Sequence, residues 1–280
     1  MSLGSFILIK NEADWIAPHI LSVLDYIDEM VFYDGNSTDG TLEIIREIRD
    51  KHPHGKKIRL FTDKDPKNLR DDYVKLFDEC MHELSTDLAW FLHPDMIVEN
   101  PESLLKSGKS KAFALTTSLR SFAGEPGGKV YEMSGRAAAW KNIYRLKNPD
   151  LGAHYFGHYG AGNEDVYFSA VTGDEHIHYG TMVNAYPYQV DDSGIKVLHY
   201  SDVRPFSRRL SRMETCLVNQ GLNLEDAKQT AASHPRVTLK DGQDASRCGY
   251  RFIESEYSKS FIEAKKAYQH LVKEPLLVNA

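Results

Sequence analysis

The sequence predicts an α/β fold, with a mostly parallel central sheet flanked by helices. Short apolar runs alternate with amphipathic helical patterns through roughly the first 100 residues. The apolar runs are continuous, as expected of strands that are covered on both faces. Polar residues follow each run, at the place where parallel sheets usually bind their ligands. Together these observations predict a sheet with a polar site at one edge.

Each predicted strand and helix of the first half is supported by a local pattern of apolar residues. Four continuous apolar runs are predicted strands, at residues 6–9, 30–33, 58–61 and 88–92. Between them, apolar residues recur at helical spacing, which predicts helices near residues 16–27, 42–48 and 68–85. Strand–helix alternation of this kind favours parallel pairing through right-handed crossovers, the arrangement of a Rossmann-like sheet.

The second half of the chain is less regular. It contains predicted strands at 111–141 and 195–200, an ordered loop at 152–162, and helices at 205–219, 224–232 and 257–272. We expect one domain over residues 1–203 to carry the site. Residues 204–280 are expected to form a helical C-terminal extension packed on that domain.

Composition excludes several classes of protein. The 280 residues carry a formal net charge of −6, so the chain has no general electrostatic attraction to nucleic acid. Cys80, Cys216 and Cys248 are too few and too far apart for a disulfide or zinc framework, which favours a cytoplasmic protein. No apolar run is long enough to span a bilayer, which leaves only peripheral membrane contact open.

The polar segment after the second strand is the most informative part of the sequence. Residues 33–41 read Tyr-Asp-Gly-Asn-Ser-Thr-Asp-Gly-Thr and lead into a helix. Carboxylates at a strand end, such as Asp34 and Asp39, can accept hydrogen bonds from a nucleotide base or ribose, with Ser37 as a short polar support. A plain turn with Asp39 as a helix cap is the structural alternative.

This segment resembles the N-terminal signature of the family 2 glycosyltransferases, which have the GT-A fold. Asn11 and Glu12 after the first strand match the same pattern. The resemblance continues in order over roughly the first 200 residues, through Arg70, an acid after the fourth strand, Asn163-Glu164-Asp165 and His199. It implies an enzyme that moves a sugar from a nucleotide-diphosphate donor, with UDP the favoured nucleotide, to a hydroxyl of a glycan or small-molecule acceptor.

The resemblance also implies roles for individual residues. The expected nucleotide-binding residues are Asn11, Glu12, Asp34, Ser37, Asp39, Arg70 and His93. The family's usual Asp-x-Asp element is His93-Pro94-Asp95 here, so His93 replaces the first acid. Asp95 and His199 are the expected ligands of a divalent cation, Mg²⁺ or Mn²⁺, which would neutralise the leaving diphosphate.

Inverting transfer needs a carboxylate to remove the proton of the attacking hydroxyl. Asp165 is the expected general base, with the neighbouring Glu164 as the alternative. We expect Asp165 to begin a helix, whose positive end would favour the ionised carboxylate.

Four arginines follow His199, at positions 204, 208, 209 and 212. Arg208 and Arg212 share a helix face, so they are either an anion clamp or a solvated basic surface. The solvated surface is the simpler interpretation for all but Arg204, which lies nearest to His199.

Other functions remain as alternatives. A catalytically silent protein that binds a sugar nucleotide is compatible with the replacement by His93. A sugar-phosphate nucleotidyltransferase or a dinucleotide-dependent oxidoreductase needs a glycine-rich loop after the first strand, where this chain has Lys10-Asn11-Glu12-Ala13.

Overall fold

The structure is a computed structural model of the chain. It describes residues 2–64, 76, 79–107, 114–134, 138–145, 147–148, 153–159, 166–172, 175–178, 190–219, 221–239, 244–245 and 250–273.

The first half forms the predicted α/β arrangement. Four parallel strands lie side by side in the order β4-β1-β2-β3. The strands are β1 (Leu3–Ile9), β2 (Glu29–Asp34), β3 (Ile58–Phe61) and β4 (Leu88–Phe91), and the helices α1 (Ile16–Val23) and α2 (Thr41–Lys51) follow β1 and β2. This confirms the predicted fold class. A 3₁₀ turn at Gly55–Lys57 leads into β3, and residues 79–82 are helical, inside the predicted 68–85 helix.

Antiparallel strands then extend the sheet beyond β4. The elements are β5 (Met96–Val98), a 3₁₀ turn at Pro101–Ser103, α3 (Leu104–Ser107), β6 (Ala114–Gly124), β7 (Val130–Ser134) and β8 (Ala138–Arg145). Strand β8 pairs antiparallel with both β4 and β6, and β6 pairs with β7.

A second, antiparallel sheet follows in the chain. It consists of β9 (Lys147–Asn148), β10 (Ala153–Tyr159), β11 (Val166–Thr172) and β12 (Glu175–His178). Two expectations are therefore wrong. Residues 153–159 are a strand rather than a loop, and residues 166–172 form a strand where a helix was expected after Asp165.

A long strand later in the chain returns to the main sheet. Strand β13 (Val190–Val203) pairs parallel with β6 and antiparallel with β5, which carries His199 to a position beside Met96.

The predicted C-terminal helices are present. They are α4 (Phe206–Asn219), α5 (Leu224–Ser233), α6 (Pro235–Thr238) and α7 (Lys259–Lys273), with β14 (Asp244–Ala245) and β15 (Tyr250–Ser255) joining the sheet beside β7. Helix α7 packs against α1, where Trp15 stacks on Tyr200 at 5.0 Å and lies 5.3 Å from Phe261. None of the described helices is long and apolar enough to cross a membrane.

Burial explains why the parallel strands form a rigid base. Phe6 and Ile7 are adjacent in β1 and point to opposite faces, and both are fully buried. Every residue of β4 is buried as well. Because the strands are covered on both sides, their carboxyl ends are held in fixed positions relative to one another.

Candidate functional site

The loop after β2 is organised by Asp34. This carboxylate is fully buried, and its two oxygens accept hydrogen bonds from the Ser37 backbone N–H at 3.0 Å and the Ser37 hydroxyl at 2.5 Å. The backbone oxygen of Asp34 accepts from the Lys64 N–H at 2.9 Å. Asn36, between Asp34 and Ser37 in the chain, adopts a φ of 60°, in the left-handed region that asparagine tolerates. In the structure Asp34 therefore shapes the turn.

The loops after β1 and β2 are tied together. The Ser37 hydroxyl oxygen accepts from the Asn11 N–H at 2.9 Å, and the Asn11 side-chain oxygen accepts from the Thr38 N–H at 2.8 Å. One residue further, the Glu12 N–H donates to the Thr41 hydroxyl oxygen at 2.8 Å. These reciprocal bonds bring Asn11, Glu12 and Ser37 together, as the sequence predicted.

Asp39 fixes the start of α2. Its carboxylate accepts from the Thr41 N–H at 3.1 Å and from the Ala13 N–H at 3.1 Å. Burial alone would raise the pKa of Asp39, but these hydrogen bonds and that of the Thr41 hydroxyl lower it below its ordinary value. Gly40 follows with a φ of 94°, a left-handed conformation that suits glycine.

An ion-pair network lies at the ends of β1 and β4. The Arg204 guanidinium donates to both Glu12 oxygens, at 3.1 and 3.2 Å, and to Asp95 Oδ2 at 2.9 Å. Its Nε–H donates to the Ser201 carbonyl oxygen at 3.1 Å. Burial raises the pKa of Glu12, and Arg204 offsets part of that rise. One guanidinium thus links two carboxylates from different strands.

The other oxygen of Asp95 faces His199. Asp95 Oδ1 lies 3.2 Å from His199 Nε2, and this buried oxygen has no hydrogen-bond partner among the described residues. The contact therefore has the distance of an ion pair without the alignment of a hydrogen bond. Burial would raise the pKa of Asp95, but His199 and Arg204 together hold it well below its usual range.

His93 completes this group. Its ring stacks on the His199 ring, with centroids 5.5 Å apart and an interplanar angle of 13°, and it meets Phe91 edge-on at 4.8 Å. The three polar groups predicted at the ends of β4 and β13, His93, Asp95 and His199, are thus brought into contact.

A cavity of about 350 Å³ opens over this group. The residues that line it come from β1, the β4–β5 turn and the start of α4, and they are Leu8, Glu12, His93, Pro94, Asp95, Arg204, Arg208 and Ser211. Asp34, Ser37 and Asp39 are not among the lining residues, but their loop is hydrogen-bonded to the loop that carries Asn11 and Glu12.

Several predicted residues lie outside the described residues, namely Arg70, Glu164 and Asp165. Conversely, three polar residues that were not assigned to the site line the cavity, Arg204, Arg208 and Ser211, and Arg204 has a definite partner in Glu12. The run of arginines after His199 was the available signal for them, but it did not show which arginines face inward.

A separate cluster lies at the opposite edge of the parallel strands. Asp25, His52 and His54 place their ligand atoms within 4.8 Å of one another. His54 Nδ1 lies 2.9 Å from Asp25 Oδ1, but the His54 N–H donates to His52 Nδ1 at 3.2 Å. His52 Nε2 lies 3.8 Å from Asp25 Oδ1, so both imidazole rings face the same carboxylate oxygen.

Comparison with known families agrees with the geometry. Residues 6–105, about a third of the chain, match the family described as glycosyl transferase family 2. This segment matches the family 2 glycosyltransferases. The predicted family is thereby confirmed over the part of the chain that holds β1 to β5, and with it the prediction that the protein is a glycosyltransferase. No curated protein sequence matches the chain significantly.

Solved structures with a similar course of the chain have low sequence identity to this glycosyltransferase. Staphylococcus aureus TarS 1–349 in complex with UDP is 14% identical over 86% of this chain and 73% of its own, with a TM-score of 0.42. The Pyrobaculum calidifontis mannosyltransferase PcManGT, in complex with GDP-Man and Mn²⁺, is 12% identical over 98% of this chain and 81% of its own, with a TM-score of 0.46.

The family implies a divalent cation, and the residues present fit one. Two ligands of the same ion, each about 2.1 Å from it, lie about 3 Å apart when they occupy neighbouring positions. Asp95 Oδ1 and His199 Nε2 have this separation, at 3.2 Å, and Oδ1 is a buried acceptor without a hydrogen bond. A carboxylate with an imidazole suits Mn²⁺, and the remaining positions suit phosphate oxygens.

Proposed function

We propose that this glycosyltransferase moves a sugar from a nucleoside diphosphate donor, UDP-sugar as the first choice, to an acceptor hydroxyl with inversion. The observation that supports this most directly is the surroundings of the Asp95 carboxylate. One of its oxygens is held by Arg204, the other is buried 3.2 Å from His199 Nε2, and Asp95 itself lines a cavity of about 350 Å³. This volume is in the range of small-molecule sites, about 300–1,000 Å³.

Different residues of the chain would bind the nucleoside and the cation. Asn11, Glu12 and the loop from Asp34 to Asp39 would receive the base and ribose beside the cavity, because their hydrogen bonds already fix this surface. Asp95 and His199 would hold Mg²⁺ or Mn²⁺, which when bound supplies positive charge to the departing diphosphate. A cytoplasmic location is part of the proposal, in keeping with the buried free thiol of Cys80.

Asp165 is proposed as the general base, as the family resemblance implies. The acceptor oxygen forms a bond to the anomeric carbon, the bond from that carbon to the diphosphate oxygen breaks, and the hydroxyl proton passes to the carboxylate. The strand at Val166–Thr172 removes the helix dipole as a reason for its basicity, so the proposal rests on its place in the matched order.

The decisive experiment measures hydrolysis and transfer of a panel of UDP- and GDP-sugars, with Mn²⁺ and with EDTA. Turnover of at least one donor is expected. Asp165→Asn should lower turnover by roughly 10²–10⁴-fold and leave donor affinity unchanged, because general-base catalysis contributes about that much. Glu164→Gln tests the alternative base, and a larger loss of turnover in that variant would assign the role to Glu164. Binding of a donor without any turnover would instead support the catalytically silent alternative.

A further inference from the structure

We propose that Arg208 is a diphosphate-binding residue of the donor site and that Arg204, although it lines the same cavity, is structural. This inference rests on the proposed function, because it names a contact of the donor. The two arginines differ in burial, in partners and in the charge that they leave available.

The donors of Arg204 are already taken. Its guanidinium meets Glu12, Asp95 and the Ser201 carbonyl, and its side chain is only 7% exposed. Two carboxylates surround this one positive charge. Arg204 therefore contributes no surplus positive charge to a ligand in the cavity.

Arg208 has the opposite properties. It is exposed, and its contact among the described residues is a single hydrogen bond from Nη2 to the Asn11 carbonyl oxygen, at 2.9 Å. Within the described part of the chain, no carboxylate lies within ion-pair distance of it. Most of its N–H donors, and its full charge, are thus available on the wall of the cavity.

The contact with Asn11 orients this charge. Asn11 has a φ of 57°, and its carbonyl oxygen accepts from Arg208 in α4. Arg208 is also in the first turn of α4, a 14-residue helix whose amino end favours anions. Its position is close enough to Glu12 to lower the pKa of that carboxyl, against the larger effect of burial. Ser211 lines the cavity one turn further along.

Guanidinium groups bind phosphate oxygens in pairs, which an ammonium group does not do. A nucleoside diphosphate whose nucleoside lies beside Asn11 would place its phosphates between Arg208 and the Asp95–His199 pair. Arg208, from α4, would then complete a donor site whose other parts come from the family 2 segment and from His199 in β13.

The test compares nucleoside diphosphates with their nucleosides by calorimetry in Mn²⁺ buffer, using UDP with uridine and GDP with guanosine. Arg208→Gln should weaken diphosphate binding about 10- to 100-fold, the loss expected for charged hydrogen bonds, and leave nucleoside binding within about 2-fold. Arg208→Lys should be intermediate, because it keeps the charge and loses the paired geometry. Arg46→Gln, which removes an exposed arginine on α2, is the control for net charge.

Two outcomes would overturn the assignment. Arg208→Gln could keep wild-type affinity for the diphosphate, or it could lose diphosphate and nucleoside affinity equally. Either result, with a wild-type protein that binds UDP or GDP, rejects Arg208 and leaves the proposed function standing. A wild-type protein that binds neither diphosphate contradicts the proposed function and this inference together.

Discussion

Glu12 and Arg204 form a two-point ion pair between residues that are 192 positions apart in the sequence. Their side chains are 12% and 7% exposed, so both charges are largely removed from water. Breaking such a pair from one side leaves the other charge uncompensated.

Arg204→Met should therefore lower the free energy of unfolding by about 3–5 kcal/mol, measured by urea denaturation, because both Glu12 and Asp95 lose their partner. Lys129→Met is the matched control. Its pair with Glu254 is 68% and 47% exposed, and removing such a pair should cost less than about 1 kcal/mol. Equal losses in the two variants would contradict a stabilising role for the Arg204 network.

The burial of His19 predicts that the stability of the protein falls as the pH falls. It is fully buried in α1, with Nδ1 2.7 Å from the Met96 carbonyl oxygen, and burial lowers its pKa to about 4. In the unfolded chain its pKa is about 6.5, so the unfolded state binds the extra proton between these values. The neutral His19 thus contributes stability above pH 6.5 that is lost as the pH falls toward 4, about 3 kcal/mol in all.

His19→Gln should reduce the slope of unfolding free energy against pH in that window, whatever its effect on absolute stability. Urea denaturation between pH 4.5 and 7.5 measures this slope. His270→Gln, at an exposed position on α7, should keep the wild-type slope. If His19→Gln also keeps it, His19 is not held neutral by the fold.

The sequence was sufficient for the parallel core because each strand there is a continuous apolar run with a polar end. Phe6 and Ile7 show this. They lie on opposite faces of the strand, and both are buried, so the apolar run is unbroken. Residues 153–159 were not predictable in this way. Gly157 disfavours a strand there, although the tyrosines and the phenylalanine favour one, and pairing with β11, with Gly157 opposite Phe168, fixes the strand.

The candidate site was predictable to the extent that it lies at strand ends. Asp95 and His199 each follow or end an apolar run. The predicted sheet alone was therefore enough to expect that these two residues lie close together. The ion pair of Glu12 with Arg204 depends on how the segment after β13 turns back over β1. No periodicity in the sequence records that turn, so the sequence singled out Arg204 by its nearness to His199 alone and did not show that Glu12 and Asp95 are its partners.

Ser37 connects the two loops that border the cavity, and this makes its hydroxyl more important than its size suggests. It donates to Asp34 and accepts from the Asn11 N–H. Ser37→Ala should lower the free energy of unfolding by about 1–3 kcal/mol, since both partners lose a bond in a partly buried setting. UDP affinity should fall as well, because the Asn11 N–H loses its hydrogen bond to the Ser37 hydroxyl.

Thr38→Ala is the control for this loop, because Thr38 uses its backbone N–H to reach Asn11 and the substitution keeps that donor. It should change stability by less than about 0.5 kcal/mol. Urea denaturation and calorimetry with UDP measure both effects. Similar losses in the two variants would mean that truncating either side chain is harmful and that the Ser37 hydroxyl has no special part.

Asp95 and His199 should together determine the binding of Mn²⁺. Asp95→Asn keeps the shape and removes the charge, and His199→Gln removes the imidazole whose Nε2 lies 3.2 Å from Asp95 Oδ1. Each change should weaken Mn²⁺ binding at least about 10-fold in the presence of UDP, as loss of a ligand does. The free Mn²⁺ signal in electron paramagnetic resonance measures the affinity directly, without reference to turnover.

Asp25→Asn separates this site from the exposed Asp25, His52 and His54 cluster at the opposite edge of the sheet. It should leave the UDP-dependent Mn²⁺ affinity unchanged, since a ligand that raises cation affinity must share a site or a charge field with it. The thermal midpoint should rise with Mn²⁺ and UDP in wild type and Asp25→Asn, and should rise less in the two site variants. If Asp95→Asn keeps wild-type affinity while Asp25→Asn loses it, the cation belongs to the other cluster and the Asp95–His199 assignment is wrong.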